Sequence, residues 1–189
     1  MSDRHLIDSI AAEYRRYKAL GDSALEQVPD DRLSQPGPAG GNSLATICWH
    51  VAGNLQSRFT EFLTSDGEKP WRQREEEFAQ RSVSRDELLE KWNGGWKVLF
   101  NALDDLSDAD LDKTVTIRGQ HLAVHEALHR SLAHASYHVG QIVYVAHSIV
   151  GDAWKYLSIP PGGSQAYNAD PKMEKPGSHS ERLSQFNPR

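Results

Sequence analysis

Histidine spacing is the feature of this chain that points to chemistry. Nine histidines occur in 189 residues, and three pairs lie four apart: His121/His125, His125/His129 and His134/His138. Random scattering would give about 0.4 such pairs. On a helix, residues i and i+4 share a face with Cβ atoms about 6 Å apart, which suits two imidazoles on one metal ion. At about 100° per residue, the pairs fall on opposite flanks of one helix. His134 and His138 lie with Ser131 and Gln141, and His125 and His129 lie across from them. No single ion can use both pairs. His50 is the candidate third ligand from another element. It sits on the shoulder of an apolar stripe, and Asn54 and Arg58 extend it into an inward polar ridge. Arg58 falls between Val51 and Ile47 on the wheel, where a charge needs a partner, an anion or water. An ion pair with Glu61, or with a residue of another helix, would serve equally well. By spacing alone, the set reads equally as a metal site or as satisfied polar residues. His121, His125 and His129 read as surface or interface residues.

Three neutral imidazoles would leave a coordination position open, as in catalytic rather than structural zinc sites. All-nitrogen ligation also accepts nickel. Such a metal would generate hydroxide from water for hydrolysis, or hold a thiol as thiolate. Asn54 and Arg58 would then orient an anionic or carbonyl group of a small-molecule ligand. Gln141 or Tyr137 would hold a ligating imidazole in one tautomer. No conspicuous catalytic carboxylate accompanies the histidines. This keeps open a non-catalytic metal- or ligand-binding helical module, and a metal-free interaction protein.

The positioning elements are helical. Leu6, Ile10, Tyr14, Tyr17, Leu25 and Val28 recur at helical spacing and predict a first helix over 3–28, with Asp3 as N-cap. The Pro- and Gly-rich stretch 30–43 breaks it. A second helix is expected over 44–63, on the stripe Ile47, Val51, Leu55, Phe59 and Phe62. Residues 64–83 read as a surface connection, with Glu75, Glu76 and Glu77 a solvated face. Ser84 to Glu87 fits a capping box that opens a third helix. Leu88, Leu89, Trp92, Trp96, Leu99, Leu103 and Leu106 form its buried face, and Gly94 and Gly95 inside it either weaken the helical pattern there or mark a close helix contact. Thr114–Ile117 alternates as a short extended piece. The fourth helix spans about 122–149.

Four amphipathic helices without a convincing sheet predict an all-α four-helix bundle. The connection of roughly 20 residues between helices 2 and 3 can cross the bundle, which suggests up-down-down-up order. The domain would occupy 1–150. A mostly irregular C-terminal extension would occupy 151–189, its first half docked through Trp154, Tyr156, Leu157 and Ile159, its second half loose. Composition narrows the function classes. A net charge of −5 and a pI near 6.0 argue against nucleic acid as main partner. No run of about 18 apolar residues exists to span a membrane. The beginning of the chain carries acidic residues and no apolar core of a signal peptide. Cys48 is the sole cysteine, so an intrachain disulfide is impossible and a cytoplasmic home fits. Its expected place is as a small buried hydrophobe, and Trp92 and Trp96 are expected in the core.

Two segments carry a family resemblance. Trp49-His50-Val51-Ala52-Gly53-Asn54 and His134-Ala135-Ser136-Tyr137-His138-Val139-Gly140-Gln141-Ile142 resemble the two signature segments of the DinB/YfiT-like superfamily. The likeness spans roughly 5–160. Around Trp71 and Leu157-Ser158-Ile159-Pro160, the chain resembles one uncharacterised branch of it. The resemblance implies an up-down-down-up four-helix bundle holding a divalent metal through His50, His134 and His138. It also implies a homodimer. Characterised members include S-transferases and isomerases that use a low-molecular-weight thiol. Many members carry a second histidine just before the last ligand; this chain has Tyr137 there.

Overall fold

The third helix shows how directly local sequence sets these elements. Ser84 Oγ accepts from the Glu87 backbone N–H at 3.2 Å, and the Glu87 carboxylate accepts from the Ser84 backbone N–H at 2.8 Å. This reciprocal box satisfies two donors that a helix start leaves open. The computed structural model describes residues 4–170. It contains α1 (His5–Glu26), α2 (Leu44–Phe59), α3 (Arg85–Asp104), β1 (Thr114–Ile117), β2 (Gln120–Ala123), α4 (Val124–Val150) and a short α5 (Ser164–Ala169). Helix accounts for 64% of the described residues, which are thus mostly helical. No helix among the described residues is long and apolar enough to cross a membrane.

The helices bury one continuous apolar core. α2 packs most extensively on α3, and α1 on α4. Trp92 and Trp96 of α3 are fully buried, and Tyr14 of α1 donates its hydroxyl to the Leu128 carbonyl of α4 at 2.9 Å. The expected glycine contact is present. A Cβ on Gly95 would lie 2.5 Å from Cα of Ala52, so only glycine lets α3 approach α2 this closely. Cys48 is buried as expected, and burial raises its thiol pKa.

Some expectations require correction. The extended piece 114–117 is one arm of an antiparallel hairpin, paired Thr114↔Ala123 through Ile117↔Gln120. The structure therefore includes a small sheet, and α4 begins two residues later than periodicity suggests. Arg118 and Gly119 form the hairpin turn with φ of 55° and 72°. Positive φ at two successive residues matches the twist of the strands. α2 also ends at Phe59, short of the expected boundary at 63. There the chain doubles back: Ser57 Oγ donates to the Gly67 carbonyl at 2.7 Å and accepts from the Lys69 N–H at 3.1 Å. Beyond α4, Trp154 is buried with its ring stacked on His147. Leu157 is partly buried, whereas Tyr156 and Ile159 are exposed, and α5 adds a helical turn inside the stretch expected to be irregular. The Asp3 cap and the second half of the extension, from 171 on, lie outside the described residues.

Candidate metal centre

α2 and α4 bring three histidines together. One ring nitrogen from each of His50, His134 and His138 lies within 4.8 Å of the others. The i,i+4 spacing along α4 places His134 and His138 with ring centroids 4.5 Å apart, and α2 supplies His50 across from them. His50 is buried, and the other two are partly exposed.

Hydrogen bonds set the tautomers. His50 Nδ1 lies 2.8 Å from the Glu77 carboxylate. An ionised carboxylate only accepts, so Nδ1 carries the proton and Nε2 keeps its lone pair. His138 Nδ1 donates to Gln141 Oε1 at 2.8 Å, again freeing Nε2. His50 Nε2 faces His134 Nε2 at 3.2 Å. Two ligands bonded at 2.0–2.1 Å to one tetrahedral ion stand about 3.3 Å apart. The donor set and its spacing therefore fit a divalent cation. His134 could alternatively donate to His50 across the same gap.

Burial disfavours the charged form of the two α4 rings, His134 and His138. It pushes the pKa of His134 down to about 3, assisted by the charges of His138, His50, Arg72 and Arg58. Burial also lowers His138; the Gln141 hydrogen bond opposes this, and His50 adds to it. A histidine with a depressed folded pKa contributes stability that is complete above its unfolded value, near 6.5, and is lost as pH falls toward the folded value. We expect the His134 ring resonances of metal-free protein to stay flat from pH 8 to pH 5. A midpoint near 6.5 in an NMR titration would show that the ring is not enclosed as described.

Glu77 is the residue that sequence reasoning missed. Read as part of a solvated acidic face, it is instead 7% exposed. The Arg72 guanidinium clamps it at 2.8 and 2.9 Å. Burial disfavours its charge, but the hydrogen bonds from His50 and Arg72 more than offset this and lower its pKa. Gly53 makes the room: a Cβ there would lie 2.7 Å from Glu77 Cδ. The glycine one turn from His50 was the available signal. Glu77 itself sits in a 3-10 turn (Glu75–Phe78), where helical periodicity says nothing.

The remaining candidates sort clearly. Gln141 holds a ring nitrogen, whereas Tyr137 is 64% exposed and makes an edge contact to the His138 ring. Asn54 and Arg58 line a cavity of about 200 Å³ beside His50 and His134. Arg58 pairs with Glu68 at 3.1 Å, not with Glu61 or another helix. His125 meets the Leu111 carbonyl at 3.0 Å, and His121 contacts Thr116, both away from the cluster.

A family described as "Protein of unknown function (DUF1572)" matches residues 2–163. The chain belongs to the DUF1572 family. No curated protein and no solved structure matches it. Within this DUF1572 chain, both segments that supply the histidine cluster fall inside the matched region, as does the Arg72–Glu77 pair.

Proposed function

We propose that this chain is a divalent-metal-dependent enzyme of the DinB-like superfamily, with His50, His134 and His138 as ligands of zinc or nickel. α1 to α4 would form an up-down-down-up four-helix bundle. The observation that carries the reading is the facing of His50 Nε2 and His134 Nε2 at 3.2 Å, with His50 Nδ1 already committed to Glu77. The depressed pKa values of His134 and His138 support it, because only a neutral imidazole ligates.

When bound, such a metal supplies Lewis acidity that lowers the pKa of a coordinated water or thiol. The chain's own residues do the rest. Glu77 and Gln141 hold the His50 and His138 rings, and Phe78, with its ring centroid 4.6 Å from that of His50, covers one side. Among the described residues the cavity wall carries no carboxylate, and Glu77 is engaged by Arg72 and His50. This arrangement favours a ligand that brings its own nucleophile, and so a thiol-dependent S-transferase using a low-molecular-weight thiol, over a hydrolase with a carboxylate base. The same absence of a free base also favours a second reading, a non-catalytic metal- or ligand-binding module. Exposed Tyr137 and Tyr144 on α4 are compatible with a homodimer, and the buried lone Cys48 with a cytoplasmic setting.

Elemental mass spectrometry on tag-free protein tests the metal. We expect near one zinc or nickel per chain, and a melting temperature that falls on chelation, since a ligand of the folded state stabilises it. Protein that stays metal-free after reloading, with a chelator-insensitive melting temperature, would sink the proposal. Turnover of thiol substrates by loaded protein would then separate the enzyme from the module.

A further inference from the structure

The cavity beside the histidines has an unusual wall. Among the described residues, Arg58, Arg72, Arg74, Arg118 and Arg130 all line it, and no lysine or carboxylate does. In a chain of net charge −5 this is a local inversion of sign. The nearby acids do not fully use these guanidiniums. Glu68 is shared, at 3.1 Å from Arg58, 2.9 Å from Arg118 and 3.9 Å from Arg72. Glu77 holds Arg72, and exposed Glu75 holds Arg74. Arg130 pairs with no carboxylate among the described residues.

The placement of Arg118 is itself constrained. A non-glycine residue at φ 55° is uncommon and must be held by its surroundings. Asp66 holds it, accepting from the backbone N–H groups of Arg118 and Gly119, each at 2.8 Å. The hairpin turn is thereby fastened to the loop after α2, and the Arg118 side chain, about half exposed, lines the cavity while its Nε donates to Glu68 at 2.9 Å. Phe59, Phe62 and Ile117 supply apolar wall between the charges.

We propose that this cavity binds a small ligand carrying a carboxylate or phosphate group. Arg118 and Arg130 would contact the anion at the mouth, and the rest of the ligand would point toward His50 and His134. The proposal names the ligand class of the same site, and so rests on the reading of the histidines as its reactive end. Planar guanidiniums suit bidentate recognition of such oxyanions. A volume of about 200 Å³ admits one acidic group with a short body rather than a polymer. The positive wall also draws anions toward the opening.

The test is calorimetric titration of metal-stripped full-length protein with inorganic phosphate and, separately, with succinate, against chloride at matched ionic strength. We expect one or both probes to bind. Arg118→Gln and Arg130→Gln should each weaken binding about tenfold, and added salt should weaken it further. Preference for phosphate or succinate identifies the acidic group. Binding no better than chloride, or binding unchanged in both variants, overturns the proposal. Zinc reloading of the same preparations is read independently. Protein that binds phosphate but never takes up metal would leave the anion site and remove the metal centre. Protein that reloads but binds neither probe would do the reverse.

Discussion

His138→Ala and His50→Ala should each reduce bound zinc or nickel from near one per chain to background, with helical content close to that of the parent. The proposed ligand set has three members, and removing one leaves two nitrogens, too few for a closed or a catalytic zinc site. The two variants differ in what else they lose. His138 is partly exposed on α4 and its side-chain hydrogen bond is to Gln141, a neighbour on the same helix, so its loss touches little of the core. His50 is buried and hydrogen-bonded to Glu77, so its removal leaves that carboxylate with Arg72 alone. His50→Ala should therefore melt at a lower temperature than His138→Ala. Stoichiometric metal in either variant, measured on tag-free protein, would place the ion elsewhere.

Glu77→Ala should combine two losses. The Arg72 side chain is only 2% exposed, and its remaining carboxylate neighbour, Glu68, is 3.9 Å away. Removing one partner of a buried pair costs about 3–5 kcal/mol, because the other charge is left uncompensated. The distant Glu68 moves the expectation to the lower end, about 3 kcal/mol. The second loss is in metal affinity, about 10–100-fold, since the carboxylate orients the His50 ring. Glu77→Gln separates these roles. Its amide oxygen can still accept from Nδ1, so the ring stays oriented while the charge is gone. Denaturant melts and metal competition on both variants supply the readouts. Unchanged metal affinity in both would reduce Glu77 to a structural anchor for Arg72.

How much of this was legible in the sequence follows from the range of the interactions involved. Helical periodicity and the Ser84–Glu87 box exposed α1 to α4, because those signals span one or two turns. His134 and His138 were visible for the same reason, and His50 from its position beside an apolar stripe. Glu77 acts across 27 residues on His50, through a turn with no periodic signature. Arg118 reaches the cavity because Asp66, 52 residues earlier, fastens the hairpin turn. β2 was hidden because Gln120-His121-Leu122-Ala123 lacks alternation and pairs by register with β1. The early end of α2 is set by Ser57 gripping a loop that propensity cannot foresee.

The Gly95 contact has a consequence for a site it never touches. On α2, Ala52 and His50 are two residues apart, about 200° around the helix, and so look in nearly opposite directions. α2 therefore acts as a shim, seated against α3 on one side and presenting His50 to α4 on the other. A metal centre accepts errors of about 0.2 Å in ligand distance. A methyl added at Gly95 would begin 2.5 Å from Ala52 Cα and would have to displace the helix by several tenths of an ångström. The thickness of a single remote glycine thus sets the gauge of the histidine gap, and the dimensional tolerance of the proposed centre is held in the opposite wall of the core.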